Sequence, residues 1–179
     1  FAILGFLAEQ PASGYELKTR CFQGPVQSFW KADQAQIYRT LDRLEHQGLV
    51  QAEVTQQEKR PSKKTFALTH KGSALLQEWL RSHNEPVAIR DPFALRLYFS
   101  STLETDELNV LFSEEITEQQ ARLSQIETEL GALEKDTKKQ SKPQRKEHLV
   151  KKSALELIKI RILAEIEYKN RVLSTLTDL

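Results

Sequence analysis

The sequence has 179 residues, 26 of them basic and 25 acidic, with 39% hydrophobic residues and a mean hydropathy of −0.52. No stretch approaches the roughly 18 consecutive apolar residues of a membrane-spanning helix, which excludes a protein with such spans. The single cysteine, Cys21, excludes an internal disulfide framework and a zinc site built from cysteines, and it favours a reducing cytoplasm. Because the sequence contains no Met, we expect it to be part of a longer chain.

A capping pattern marks the first helices. Residues 1–9 are apolar and lack basic residues, so they predict a core helix rather than a signal peptide. Ser13 and Glu16 stand three residues apart, as in a capping box, where the hydroxyl accepts the amide proton of the third helical residue and the carboxylate reaches back. A second helix is therefore predicted to begin near Gly14.

The same pattern predicts a third helix. Asp33 is a favoured N-cap residue, and Gln36 follows at the third helical position. Three apolar residues share one helical face, because their spacing is i, i+4, i+7: Ile37, Leu41 and Leu44. Gly48 supplies a left-handed stop after the last turn.

A short hairpin and a further helix are predicted next. Apolar and polar residues alternate in two segments that a charged connection separates. The apolar members are Val50, Ala52 and Val54 in the first segment and Phe66 and Leu68 in the second. Thr69 then caps a helix of about residues 70–82. The apolar stripe of this helix is expected to consist of Leu75, Leu76, Trp79 and Leu80.

Three helices, a hairpin and another helix within about 80 residues are the order of a winged helix-turn-helix, whose last helix before the hairpin enters the DNA major groove. Burial of the apolar face of the third helix leaves four polar residues on the opposite side: Gln36, Arg39, Arg43 and His46. Glutamine and arginine pair with adenine and guanine edges. We therefore expect this helix to read DNA, although the two arginines are equally compatible with an ordinary surface.

The N-terminal part carries the excess of positive charge. Residues 1–83 hold 11 basic and 8 acidic groups, and no acid occurs between residues 59 and 77. Arg60, Lys63 and Lys64 are expected at the hairpin tip without a nearby acid, where they would contact phosphate groups or the minor groove. The alternative is a solvated loop.

This series of motifs resembles the PadR family of transcriptional regulators, which are winged-helix repressors. The resemblance covers almost all of residues 1–82, in order and at the expected spacing. Its motifs are Ile3-Leu4-Gly5-Phe6-Leu7, Ser13-Gly14-Tyr15-Glu16-Leu17, Trp30, Ile37-Tyr38-Arg39-Thr40-Leu41, Leu44-Glu45-His46-Gln47-Gly48-Leu49-Val50, Arg60-Pro61 and Leu68-Thr69-His70-Lys71-Gly72.

The resemblance implies that Tyr38 lies at the DNA backbone, whereas the residue by itself could equally be a half-buried ring that only packs. The sequence departs from the family at two positions. Ser13 stands where the family usually has histidine, and Phe66 stands where tyrosine is common. Any contact that a histidine would make at position 13 is therefore in doubt, although Ser13 still caps the helix.

Residues 84–104 are predicted to form a helical connector. Asp91 followed by Pro92 is an N-cap with proline at the first helical position, and Phe93 can stack on Leu97 one turn later. Four aromatic residues gather where the connector meets the N-terminal part: Trp79, Phe93, Tyr98 and Phe99. They are expected to form an interdomain core or, alternatively, an apolar pocket for a small apolar or aromatic effector.

Residues 105–179 predict two long helices. Thr105 is expected to cap the first, which runs to about Asp136, and Pro143 to break the chain before a second helix from about Lys146. Each helix carries an apolar stripe. The stripes are Leu123, Ile126, Leu130 and Leu133 in the first helix and Leu155, Ile158, Ile162 and Ile166 in the second.

Helices of about 30 residues, each ~45 Å long, are not expected to bury these stripes completely against each other and an 80-residue head. A second chain is the expected partner, so the stripes are predicted to form a dimer seam. This arrangement resembles the longer PadR subfamily, whose C-terminal helices dimerise. The alternative is an antiparallel hairpin within one chain that leaves the protein monomeric.

No catalytic, cofactor or metal site is predicted. The four histidines are scattered without the i, i+4 spacing of a helical metal site, and neither a glycine-rich phosphate loop nor a G-x-S-x-G motif occurs. Cys21 is expected in the core and not as a nucleophile.

The sequence therefore predicts a mainly α protein: a winged-helix head in 1–83, a connector in 84–104 and a domain of antiparallel or coiled-coil helices in 105–179 that dimerises. We expect a homodimeric repressor that binds an inverted-repeat operator in double-stranded DNA and is released by a small effector, without enzymatic activity. The alternative is an adaptor that keeps the winged-helix shape and binds a protein partner instead of DNA.

Overall fold

The computed structural model describes residues 1–24, 26–27, 29–57, 60–83, 90–135 and 141–177, and for 56, 57, 60–62, 135 and 177 it describes the backbone alone. The described chain is mainly helical. It divides into two compact units, Phe1–Pro86 and Val87–Leu179.

The first unit contains four helices and a hairpin in the predicted order, which confirms the winged helix-turn-helix. Its elements are α1 (Ala2–Glu9), α2 (Gly14–Glu16) with a π-helical turn directly after it (Leu17–Phe22), α3 (Gln34–His46), β1 (Val50–Gln57), β2 (Arg60–Leu68) and α4 (His70–Arg81).

The predicted caps set the helix ends. Ser13 and Glu16 form the full capping box, because the Ser13 hydroxyl accepts the Glu16 amide proton and the Glu16 carboxylate accepts the Ser13 amide proton at 2.9 Å. Asp33 accepts the amide proton of Gln36 at 2.7 Å and so begins α3. Gly48 follows α3 with a φ of 68°, a left-handed conformation that glycine adopts without strain.

Strand β2 is the central strand of a small antiparallel sheet. It pairs with β1, with Val50 opposite Leu68 and Ala52 opposite Phe66. On its other edge, Phe66 exchanges two backbone hydrogen bonds with Ala12, at 2.9 and 3.0 Å. The hairpin, which is the wing of this fold, is therefore fixed through Phe66 to the segment that leads into α2.

One hydrophobic core joins all elements of this unit. Its buried members come from α1, the π-helical turn, α3, both strands and α4, and the most deeply buried are Leu4, Leu17, Ile37, Leu41 and Phe66. The predicted stripe of α4 is wrong at one residue, because Leu80 is 61% exposed. At 100° per residue, the buried face of α4 centres on Gly72, Leu76 and Trp79, and Leu80 lies roughly a quarter turn away from it.

The second unit consists of α5 (Pro92–Tyr98), a 3₁₀ turn (Ser100–Thr102), α6 (Thr105–Lys135) and α7 (Lys142–Thr177). Asp91 caps α5 as predicted. The predicted caps of the long helices are displaced. Glu104 precedes α6, and its amide proton is accepted by the Glu107 carboxylate. Helix α7 begins at Lys142 and not near Lys146, since Pro143 lies in its first turn, where a missing N–H is tolerated.

Helices α6 and α7 pack against each other within one chain. Ile126, Leu155 and Ile162 are buried between them, flanked by the half-buried Leu123, Leu130, Leu133, Ile158 and Ile166. Within one chain each stripe therefore already packs against the other in an antiparallel pair, and contact of a second chain with the half-buried members stays a prediction. Cross-helix ion pairs flank this seam, Lys152–Glu134 at 2.8 Å and Lys159–Glu127 at 2.7 Å.

A buried lysine joins α5 to this pair of helices. Lys169 of α7 is 4% exposed, and its ammonium lies 3.4 Å from the Glu115 carboxylate and 4.6 Å from the centre of the Phe93 ring. Phe93 in turn makes an edge contact with the ring of Phe112, which is fully buried. Phe93 thus also contacts two residues that lie far away in the sequence, and the predicted stacking on Leu97 stays a prediction.

Candidate nucleic-acid interface

The face of α3 opposite its buried residues is open. Gln36, Arg39, Arg43 and His46 are all exposed, while Ile37, Leu41 and Leu44 on the other side are buried, as the helical period predicts. In the part of the chain that the structure describes, neither arginine has an acidic partner. The two guanidinium groups are therefore available for hydrogen bonds with another molecule.

Tyr38 lies at the edge of this face and packs on α2. Its side chain is 41% exposed, and its ring occupies the space beside the α-carbon of Gly14. The ring therefore packs on α2, and the rest of the side chain is accessible to solvent. Contact with a DNA backbone, which the sequence resemblance implies, stays a prediction.

The two wing lysines each have an acidic partner, contrary to the sequence prediction. Lys63 lies 3.0 Å from the Glu16 carboxylate, and Lys64 lies 2.8 Å from that of Glu45. They also lie away from the tip, since Lys63 pairs with Thr55 and Lys64 with Val54 along the hairpin. The prediction failed because the acids belong to other elements, 47 and 19 residues away in sequence.

These ion pairs tie the wing to two helices. Successive residues of a strand point to opposite faces, so Lys63 reaches α2 on one side and Lys64 reaches the last turn of α3 on the other. The Lys64 ammonium also lies 4.9 Å from the ring centre of Phe66. The third predicted wing residue, Arg60, has only its backbone described, and its side chain lies outside the described part.

The neighbours of Glu16 favour its ionised form. Hydrogen bonds from the backbone and hydroxyl of Ser13 and from Lys63 lower its pKa from 4.5 to about 2. The carboxylate is therefore ionised throughout the neutral pH range. One side chain both caps α2 and holds a wing lysine.

The exposed face of α3 also carries an acidic residue that the sequence analysis did not select. Asp42 is exposed, three residues after Arg39 and four before His46, so it belongs to the same face of α3. Its backbone carbonyl accepts a hydrogen bond from Nδ1 of His46 at 2.7 Å, which fixes the imidazole beside it. The helical period alone could have identified this residue.

In the second unit, α7 has a further apolar surface that the sequence analysis did not separate from the buried stripe. Leu157 is 49%, Ile160 64% and Tyr168 50% exposed, and Val150 is 60% exposed. At 100° per residue, these four residues cluster on the side of α7 opposite Ile162. We call Val150, Leu157, Ile160 and Tyr168 the outer stripe.

The aromatic residues proposed for an effector pocket are found in both units. Trp79 stacks on Phe1 in the first unit, with ring centres 4.7 Å apart, and Phe93 packs on Phe112 in the second. Tyr98 and Phe99 contact each other and are 81% and 68% exposed. A common pocket of these residues stays a prediction.

Two further classes of site are absent from the described ranges. There, no group of three or more His, Cys, Asp or Glu residues could hold a metal ion. Within the same ranges, none of the helices has the length and apolar character needed to cross a membrane.

Comparison with known families accounts for both units. Residues 3–78 match the family described as transcriptional regulator PadR-like, and residues 89–177 match the virulence activator alpha C-terminal family. The negative transcriptional regulator PadR of Bacillus subtilis is 35% identical over 136 residues, which are 75% of this chain and 72% of that protein.

Solved structures give the same result over nearly the whole chain. Bacillus subtilis PadR in complex with operator DNA superposes with a TM-score of 0.81 and 29% identity, covering 97% of this chain and 95% of the other. The same protein in complex with p-coumaric acid superposes with a TM-score of 0.71 and 28% identity, covering 98% and 93%.

Proposed function

The chain belongs to the PadR-like family of transcriptional regulators, and we propose that it is a repressor that binds an inverted-repeat operator in duplex DNA as a homodimer. The observation that carries this proposal is the open basic face of α3, in a chain similar to a relative whose structure contains operator DNA. The relatives are regulators and not enzymes, as the sequence predicts.

In this proposal α3 enters the major groove. Arg39 and Arg43 donate to guanine edges, and Gln36 pairs with an adenine edge. The exposed part of the Tyr38 side chain contacts the DNA backbone beside the groove. Arg60 and the two wing lysines contact phosphate groups, which position the head without selecting a sequence.

The ion pairs of Lys63 and Lys64 modify the role of the wing. Each ammonium has three protons to donate, so it can keep its carboxylate and still donate to a phosphate. The nearby carboxylates reduce the net positive charge, so the wing contributes fewer released counterions than two unpaired lysines would. Its main contribution is then to hold the hairpin at a fixed position relative to α3.

For the dimer, we propose the outer stripe of α7 in place of the seam that α6 covers. The stripe residues are apolar, span about five helical turns and are about half exposed or more among the residues that the structure describes. A contiguous apolar surface of this kind marks an interaction site. A twofold dimer through α7 would present two copies of α3, and this symmetry matches an inverted repeat with half-sites about one helical turn apart or a multiple of it.

We also propose a small aromatic effector, because a relative is known in complex with p-coumaric acid. Trp79, Phe93, Tyr98 and Phe99 are the candidate residues. A repressor must reach the chromosome, so a cytoplasmic location belongs to the same proposal. Release of bound DNA by p-coumaric acid, but not by an aliphatic acid of similar size, would support the effector class.

The test of the proposed function is selection of bound sequences from a random duplex pool, followed by a salt titration. A repressor should enrich an inverted repeat, and its affinity should fall steeply with salt because phosphate contacts release counterions. Failure to enrich any sequence, with a flat salt response, would contradict the proposal and favour a protein-binding adaptor.

A further inference from the structure

Asp42 differs from the other acidic residues near the proposed DNA-binding surface. Glu16 and Glu45 are each held by a wing lysine, at 3.0 and 2.8 Å. The carboxylate of Asp42 has no hydrogen-bond or ion-pair partner among the described residues, and its side chain is exposed. An unpartnered negative charge therefore lies on the face of α3 that carries Arg39 and Arg43.

Such a charge weakens binding to every duplex unless the DNA offers a donor to it. Phosphate groups repel a carboxylate, and most major-groove atoms of the bases are acceptors. The donors in that groove are the amino groups of cytosine and adenine. A base pair that places an acceptor opposite Asp42 leaves the carboxylate desolvated and unpaired, which is unfavourable.

The neighbouring arginines favour cytosine over adenine. Arg39 and Arg43 lie three residues before Asp42 and one after it, so a guanidinium and the carboxylate can reach the same region of the groove. A C·G pair presents a donor on cytosine beside two acceptors on guanine. One pair can therefore satisfy both charges, whereas no other pair offers the guanine acceptors next to an amino group.

We infer that Asp42 is a specificity-determining residue, whose carboxylate accepts a hydrogen bond from the amino group of one cytosine in each half-site. It excludes duplexes that place an acceptor at that position. The inference rests on the proposed function, because it requires α3 in the major groove.

The experiment compares the wild type with Asp42→Ala and with a matched control, Glu78→Ala. Glu78 is exposed on α4, so the control removes the same charge from the same unit at a site away from α3. Each protein is used for selection from a random duplex pool. Its affinity is then measured for the selected site, for that site with one C·G pair replaced by T·A, and for a scrambled duplex, and circular dichroism checks folding.

Wild type and Glu78→Ala are expected to enrich a motif with a fixed C·G pair in each half-site and to bind the T·A-substituted site about 10- to 100-fold more weakly. Asp42→Ala should discriminate against the T·A-substituted site several-fold less than the wild type, with the remaining preference coming from the arginine contact to guanine, and should bind the scrambled duplex several-fold more tightly. If Asp42→Ala enriches the wild-type motif with unchanged discrimination, the inference is wrong. If the wild type and the control enrich no motif, the proposed function itself has failed.

Discussion

The ring of Tyr38 fills the space that a side chain at Gly14 would need. Its Cε1 and Cζ atoms lie 2.7 Å from the position of a Cβ built on Gly14, closer than real Cβ atoms approach another carbon. The glycine is therefore required for the contact between α2 and α3. The position of Tyr38 at the edge of the exposed face of α3 depends on this contact.

A Gly14→Ala substitution should cost about 1–2 kcal/mol in the free energy of unfolding, because the added methyl group must displace the ring. In a Tyr38→Ala background the same substitution should cost nothing, and a double-mutant cycle with denaturant unfolding measures the difference. Gly5→Ala is the control, since a Cβ there meets no atom within 4 Å. Equal costs of Gly14→Ala in both backgrounds would contradict the proposed contact.

Arg39→Ala and Arg43→Ala should each weaken operator binding, by about 1–3 kcal/mol for an arginine that makes a bidentate base contact. Arg81→Ala, on the exposed side of α4, should leave the affinity unchanged. Fluorescence anisotropy with a labelled operator measures all three. Unchanged affinity in both α3 variants, with folding intact, would exclude this helix as the reading element.

Replacement of Lys63 and Lys64 by Gln should weaken binding to all sequences about equally. Because each lysine is already paired with a carboxylate, the salt slope should flatten by less than the roughly 2 units expected of two unpaired charges. A slope change of 2 units or more would show that both pairs dissociate when DNA binds. A change in sequence preference would show base contacts from the wing.

Glu16→Gln should lower the free energy of unfolding at pH 7 by about 1–2 kcal/mol, since it removes the charged half of a capping box and the partner of Lys63. The folded-state pKa of Glu16, about 2, lies below its usual 4.5. Its contribution is therefore fully present above pH 4.5 and is lost as the pH falls toward 2. Chemical unfolding at several pH values should show the difference between wild type and variant shrinking over that range; a constant difference would exclude the ionised carboxylate as its source.

Substitutions at two isoleucines of α7 can distinguish the proposed dimer surface from the seam between α6 and α7. Ile162→Asp puts a charge into a site that is 2% exposed, so it should destabilise the helix pair by several kcal/mol. Ile160→Asp changes a residue that is 64% exposed, so it should leave the folding intact and dissociate the dimer. Sedimentation of Ile160→Asp at the wild-type dimer mass would exclude the outer stripe.

Local chemistry accounts for what the sequence predicted well. Caps at Ser13, Asp33, Thr69 and Asp91 depend on residues three positions apart, so they can be recognised in the sequence, and the left-handed Gly48 marks its helix end in the same way. The exposed face of α3 follows from the helical period once the buried face is known. Together with the alternating pattern of the hairpin, these features predicted the order of the helices and strands in the first unit.

What the sequence could not show is which distant residues meet. The partners of Lys63 and Lys64 come from other elements, and Phe93 packs on Phe112 and Lys169, which lie in α6 and α7. In α7, apolar residues occur on two opposite faces of the helix. Without the position of α6, their residues cannot be assigned separately to the interior of one chain and to a surface for a second.

The closed seam between α6 and α7 has a consequence for how such a regulator responds to its own abundance. Under the proposed outer-stripe dimer, Ile126, Leu155 and Ile162 would already be buried in a folded monomer, and association would be a reversible second step. When most copies are monomeric, the dimer concentration rises with the square of the total concentration. Operator occupancy would then double its logarithmic sensitivity to protein level, so that modest changes in synthesis produce a sharper transition between expressed and silent genes.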